Sequence, residues 1–297
     1  MKGFNTCSLI TRTKQIFKAL QVAGLLTLLS ALPSSLFAET YLSKLSNLAA
    51  QGKFGGVFST NLSDQEKKRL IQDLKNKTGY QNIHFDKDNK LVIDATAEFK
   101  GGSALARKLL QDAVSSAYTR FNLVSVNSTE VAFASGDRGT QFDIDAPVKR
   151  ATLYEVKIDF GDFNLYFLSD DEAKKGHTIG LVLMHELAHK LYDVKDEPNG
   201  DTDPGVLENT FLNPIRRELG LAERVHYVAK FVRISLQGHP DGVWRQLTFK
   251  FHGREKLLRW ENDIVGGMTG TDSKSKQPML AHSAGTTLQR GPVTSTR

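Results

Sequence analysis

One stretch limits what this chain can become. Residues Ile179 to Val194 are apolar nearly all round, with Leu181, Val182, Leu183, Met184, Leu187, Ala188 and Leu191, which is how a buried helix reads. Yet they contain His185-Glu186-Leu187-Ala188-His189, an H-E-x-x-H motif. Two histidines and a glutamate are costly inside such a helix unless they have partners. Positions i and i+4 lie one above the other on a helix face, so His185 and His189 can offer two imidazoles to one ion. Zinc suits imidazole nitrogen, and a catalytic site uses three protein ligands with a fourth position open. Glu186 adjoins the first ligand, where its carboxylate can act as general base on a water acidified by the ion. The expected cofactor is therefore one catalytic Zn2+.

The third ligand must come from elsewhere. After the helix comes a polar, turn-rich loop, residues 195–205, carrying Asp196, Glu197, Asp201 and Asp203. Any of these acids can reach back to a metal. Beyond it, Glu208, Phe211, Leu212, Ile215 and Leu219 share one helical face, and a glutamate on an apolar stripe needs a reason that a metal supplies. Glu208 is the expected third ligand, with Asp201 and Asp203 as competitors that serve equally well as helix caps. Pro214 interrupts this segment, so the helix kinks there or restarts with Asn213 as cap.

The flanking chain reads as a mixture of helices and strands. Ser63-Asp64-Gln65-Glu66 is a capping-box pattern opening a helix to about Lys77. Ile83–Phe85 and Leu91–Ile93 flank a turn and read as a hairpin. Gly101-Gly102-Ser103 opens a second helix with Leu105, Leu109, Ala113 and Val114 inward, and Val131–Ala134 reads as a short strand. Tyr154, Val156, Ile158 and Phe160 alternate with charged residues as a strand, followed by a second strand over Phe163–Leu168. A strand just ahead of such a helix can bind an extended substrate by β-augmentation. Val228–Leu236 and Val243–Phe251 form another hairpin, and Leu257, Leu258 and Trp260 read as a short closing helix.

At the start of the chain a basic stretch, an apolar run from Ala19 to Leu29 and Leu36-Phe37-Ala38 follow the pattern of a secretory signal over 1–38. A domain over 39–270 follows, and the Ser-, Thr- and Gly-rich residues 271–297 read as a disordered tail. The formal charge is +6; loss of Lys2, Arg12, Lys14 and Lys18 with the leader leaves +2. With no basic stripe bearing aromatics, that argues against a nucleic-acid partner. Cys7, the single cysteine, lies in the leader, so the remaining chain needs no disulfide. The expected location is secreted or periplasmic, without stable membrane association after cleavage.

From His185 to Tyr227 the chain resembles the NleD-like zinc endopeptidases of secreted bacterial effectors and toxin domains. The residues that carry the likeness are His185–His189, then Asn213-Pro214-Ile215-Arg216-Arg217-Glu218-Leu219-Gly220-Leu221, then Arg224-Val225-His226-Tyr227. Where that family has a glutamate before the asparagine, this chain has Leu212, which moves attention to Glu208. The resemblance implies a zincin fold, one zinc and a protein substrate, with Arg224 and Tyr227 stabilising an oxyanion. The expectation is thus an α+β zincin-like metalloprotease, with a small mixed or antiparallel sheet, that cleaves proteins or peptides using Glu186 as base. A zinc amidase or other hydrolase, and an inactive zinc-stabilised effector that binds a partner, are the rivals.

Overall fold

The computed structural model describes residues 43–49, 51–94, 96, 98–144, 149–196, 203–234 and 242–261. The leader, the tail, Glu197 and Asp201 lie outside them. In chain order the described elements are β1 (Gly56–Ser59), α1 (Asp64–Thr78), β2 (Ile83–Phe85), β3 (Leu91–Ile93), α2 (Ala104–Ser115) and β4 (Thr119–Ser125). Then come β5 (Ala134–Gly136), β6 (Thr140–Ile144), β7 (Lys149–Ile158), α3 (Asp171–Gly176) and α4 (Ile179–Tyr192). A π-helical turn, Glu208–Leu212, leads directly into α5 (Asn213–Glu218), and β8 (Glu223–Arg224), β9 (Lys230–Ile234), β10 (Gly242–Phe251) and β11 (Arg254–Glu261) follow. The expected α+β class holds: a mixed five-stranded sheet, a four-stranded antiparallel sheet and the β2–β3 hairpin. None of the described helices is long and apolar enough to cross a membrane.

In the larger sheet β1, β4 and β7 run parallel, with Phe121 opposite Tyr154 and Leu123 opposite Val156. Both β5 and β6 pair antiparallel with the outer edge of β7. Helix α4 packs on α1 and α2 and lies against β5, β7 and the π turn. Its inner residues Leu181, Leu183, Met184, Leu187 and Ala188 are buried in a core shared with Leu70, Leu74, Leu110, Val156, Phe249 and Leu258. The motif helix is thus clamped from several sides, and its histidines cannot drift.

The N-terminus of α4 is held from another helix. Thr178 at the cap makes no side-chain bond; Asp73 of α1 instead accepts a hydrogen bond from the Gly180 amide at 2.6 Å. A Cβ on Gly180 would lie 2.8 Å from that carboxylate oxygen, so a side chain here would push Asp73 off the amide. A carboxylate at a helix N-terminus satisfies an orphan donor and suits the helix dipole.

Local signals at the flanks hold well. Ser63 and Glu66 make the reciprocal capping box, the β2–β3 hairpin forms, and β9 pairs with β10. Several expectations are corrected. Residues 257–260 are strand, because His252 (φ 48°) and Gly253 (φ 77°) form a two-residue left-handed turn that returns the chain along β10. No strand spans Phe163–Leu168. A 3-10 turn at Asp162–Asn164 stands there, since the Asp162 carboxylate accepts from the amides of Ala132 and Phe133 and pulls the chain inward. Leu105 is exposed, and α2 turns Ala106, Leu109, Leu110 and Ala113 to the core. The strand expected at Val131–Ala134 begins only at Ala134.

Asp73→Ala should cost about 0.5–2 kcal/mol of stability, the range for loss of an N-terminal cap. Urea denaturation checks this, and an unchanged midpoint would show that α4 is held by packing alone.

Candidate active site

His185 and His189 project one turn apart from α4, with their Nε2 atoms 3.1 Å from each other. After Tyr192 the helix stops, because Asp193 adopts the left-handed conformation (φ 50°), which Asp tolerates better than most residues. The chain therefore folds back over its own last turn. The Val194 carbonyl meets His189 Nδ1 at 2.6 Å, and Asp196 arrives beside both rings. Asp196 Oδ2 is 3.0 Å from His189 Nε2, and Oδ1 is 3.7 Å from His185 Nε2.

These three donors form the one group of metal-ligating side chains found among the described residues. Ligands about 2.0–2.1 Å from a tetrahedral ion stand about 3.3 Å apart, and the observed separations bracket that edge. Asp196 Oδ1 is buried and has no hydrogen-bond partner, as expected of an oxygen that a cation would satisfy. Two imidazole nitrogens and a carboxylate oxygen are a donor set that zinc accepts, so the residues fit the ion.

The other nitrogen of each ring is already used. His189 Nδ1 faces the Val194 carbonyl, and His185 Nδ1 lies 3.3 Å from Glu208 Oε1. An acceptor at each Nδ1 sets the tautomer that leaves both Nε2 lone pairs toward the shared point, the outer-shell arrangement of metal-binding histidines.

The structure thus places Glu208 behind His185, not on the side where the two Nε2 atoms meet; the carboxylate on that side is Asp196. Glu208 is 1% exposed. It is bound by Arg216 Nη1 and, at 3.0 Å, by Arg224 Nη1. Burial alone would raise its carboxyl, but the two guanidiniums more than offset that and hold it well below the usual range. The π turn explains how a glutamate so close to Pro214 points inward. The Asn213 amide bonds back to the Glu208 carbonyl, five residues away, and α5 restarts with Pro214 in its first turn, where no donor is missed. Asp203 serves as a turn residue, accepting from the Gly205 amide and the Asn209 side chain.

Arg224 and Tyr227 both reach the site, with different availability. Arg224 spends its donors on Glu208, the His226 carbonyl and the Tyr227 carbonyl; it shapes the 224–227 loop. Tyr227 lines both cavities with Glu186. Burial, and then the hydrogen bond to the Asp196 carboxylate, raise its phenol above the ordinary value, so it stays protonated at neutral pH with its hydrogen directed at Asp196. Glu186 is half-buried with no hydrogen bond or ion pair to any described residue. Its Oε2 lies 3.0 Å from where a Cβ on Gly136 would stand, so β5 passes directly over the carboxylate.

Glu186, His185 and Tyr227 separate two cavities. One, about 270 Å3, has apolar walls that include Phe133, Leu181, Leu247 and Trp260. The other, about 740 Å3, opens past Gly136, Arg138, Tyr154 and Lys190 to Asp196. Among the residues that mattered, sequence reasoning passed over Asp196 as one loop acid of several. The signal was its position, just after a helix end carrying an Asp able to turn the chain back. Comparison with protein families, with curated proteins and with solved structures finds no match to this chain.

Burial lowers the His189 pKa, but the hydrogen bonds to Asp196 and Val194 outweigh it, and the net shift is upward. In the metal-free chain the charged His189–Asp196 pair therefore adds stability that is complete below the ordinary histidine pKa and is lost as pH rises through the raised one. The same proton competes with a metal. Zinc occupancy at limiting zinc should fall as pH drops through neutral, at a higher pH than for an unperturbed histidine, as measured by equilibrium dialysis.

Proposed function

We propose that this chain is a zinc-dependent endopeptidase of zincin type, with His185, His189 and Asp196 as the metal ligands and Glu186 as general base. The observation that carries the reading is the convergence of three donors at metal-ligand spacing, with both outward nitrogens already engaged by Val194 and Glu208. When bound, the zinc supplies Lewis acidity, acidifying a water and polarising a carbonyl.

The side chains have distinct parts in this scheme. Glu186, unpaired and open to both cavities, accepts the proton of the attacking water and returns it to the leaving amine. Tyr227 donates its phenolic hydrogen bond to the oxygen that gains charge. Glu208 is a positioning residue: it fixes the His185 ring and is itself neutralised by arginine. The Arg224 role is revised accordingly, from oxyanion donor to support for Glu208 and the Tyr227 backbone.

A peptide substrate is favoured by the shape of the cleft. Strand β5 lies at the rim beside Glu186, with residues 134–136 lining the larger cavity, so an extended chain can run along it with side chains reaching either cavity. A free carboxylate at the centre of such a cleft speaks for catalysis over an inert zinc-stabilised binding protein, because an unpaired half-buried charge is costly without a use.

The test uses three variants. Asp196→Ala should lose zinc and activity on an unstructured protein. Glu208→Gln should keep zinc at an affinity reduced about 10- to 100-fold, and should lose stability by about 3–5 kcal/mol because Arg216 is left buried without its partner. Glu186→Gln should bind zinc normally while turnover falls about 10²- to 10⁴-fold. Metal content by atomic absorption, denaturation and cleavage assays read the three effects. Full zinc and activity in Asp196→Ala would return the ligand to Glu208 or to the loop.

A further inference from the structure

The smaller cavity beside Glu186 is lined by a cluster in which two guanidiniums face one carboxylate. Arg216 and Arg224 face a single carboxylate, Glu208, and Glu223 nearby is engaged by Arg217. His177 sits at the same end and is 5% exposed. Burial first, and then the two arginines, press its pKa well below the ordinary value, so it adds no charge of either sign. Against Glu208 alone the two guanidiniums are one positive charge in excess; the other carboxylate lining this cavity is Glu186, which the larger cavity shares.

Two nitrogens of this cluster are unspent. Arg216 is 2% exposed. Its Nε bonds the Gly176 carbonyl, and its Nη1 serves Glu208 and Asn213. Its Nη2 has no acceptor among the described residues, and Arg216 lines the cavity. His177 is similar: Nδ1 is 2.7 Å from the Tyr166 hydroxyl, while Nε2 has no partner among the described residues and His177 lines the cavity. The route to these two groups runs between Leu181, Leu247, Phe133 and Trp260. The cavity, about 270 Å3, is far larger than the roughly 15 Å3 that admits one water.

We infer that this cavity is the specificity pocket of the enzyme and that it takes an acidic side chain, glutamate, from a residue adjoining the cleaved bond. Its methylene groups pass the apolar walls, and its carboxylate meets Arg216 Nη2 and His177 at the closed end. A carboxylate gives Arg216 Nη2 the acceptor it lacks, whereas leucine would leave that donor unsatisfied and lysine would bring a cation against two guanidiniums. Glutamine keeps an acceptor but not the charge. The inference rests on the hydrolase reading of the neighbouring metal site, but the pocket chemistry belongs to other side chains and is tested separately.

Two experiments on the full chain decide it. The zinc-loaded protein is given a proteome-derived peptide library, and new termini are read by mass spectrometry. Glutamate should be enriched at one position flanking the cut, and exchanging it for glutamine in a cleaved peptide should lower kcat/KM about 10- to 100-fold, the range for a hydrogen bond to a charged group. In the metal-free protein, N-acetylglutamate amide should perturb the NMR signals of Trp260 and His177 at millimolar concentration, and N-acetylleucine amide should not. Both preferences should vanish in Arg216→Gln. Should that variant not fold, Ala229→Phe, which plugs the cavity and spares the charge cluster, should abolish them instead. Cleavage with no glutamate preference would overturn the pocket and leave the hydrolase reading standing. No cleavage of any peptide would sink the hydrolase reading, and the metal-free titration would then settle the pocket alone: equal binding of the two amides, or undiminished glutamate binding in Ala229→Phe, would overturn it.

Discussion

The buried contact between Glu208 and two arginines is the interaction on which the rest of the site depends. Arg216 ties the carboxylate to the Gly176 carbonyl at the end of α3, and Arg224 ties it to the 224–227 loop. Asn213 closes the circuit, accepting from the Arg224 amide and donating to the Arg224 carbonyl, each at 2.8 Å. The π turn, α5, β8 and the end of α3 are thereby joined, and His185 of α4 rests against the same carboxylate. Replacing such a cluster with apolar residues can be neutral for stability. What apolar residues cannot supply is a fixed acceptor for an imidazole Nδ1.

The two histidines solve one problem with different acceptors. His185 relies on a carboxylate that arrives from across the fold, whereas His189 relies on a carbonyl five residues further along its own chain. The second depends only on where α4 stops. Asp193 in the left-handed conformation stops it, and the same turn delivers Asp196. Local geometry therefore assembles two of the three donors, and tertiary packing orients the third. The clamping of α4 by Asp73 at one end and by the core along its inner face keeps all three in register.

The motif helix, the capping box at Ser63, the two hairpins and the general α+β class were legible because each rests on local periodicity or a local hydrogen bond. The misreadings have a common cause. Residues 163–168 have the apolar content of a strand, but Asp162 bonds the amides of Ala132 and Phe133 some thirty residues earlier, and no local pattern reports that. The short helix expected at 257–260 failed because a His-Gly turn paired the segment with β10.

By itself the sequence determined that two imidazoles and a glutamate share one face of a buried helix, since helical geometry alone sets that spacing. It also marked Glu208 as a buried acid in need of a partner. Only the tertiary structure decided which partner. Two guanidiniums, brought from eight and sixteen residues away by the π turn and β8, took Glu208 behind His185, and the chain reversal at Asp193 put Asp196 where the two Nε2 atoms meet. A carboxylate goes where its charge is best compensated, and that depends on groups distant in sequence whose positions are set by packing.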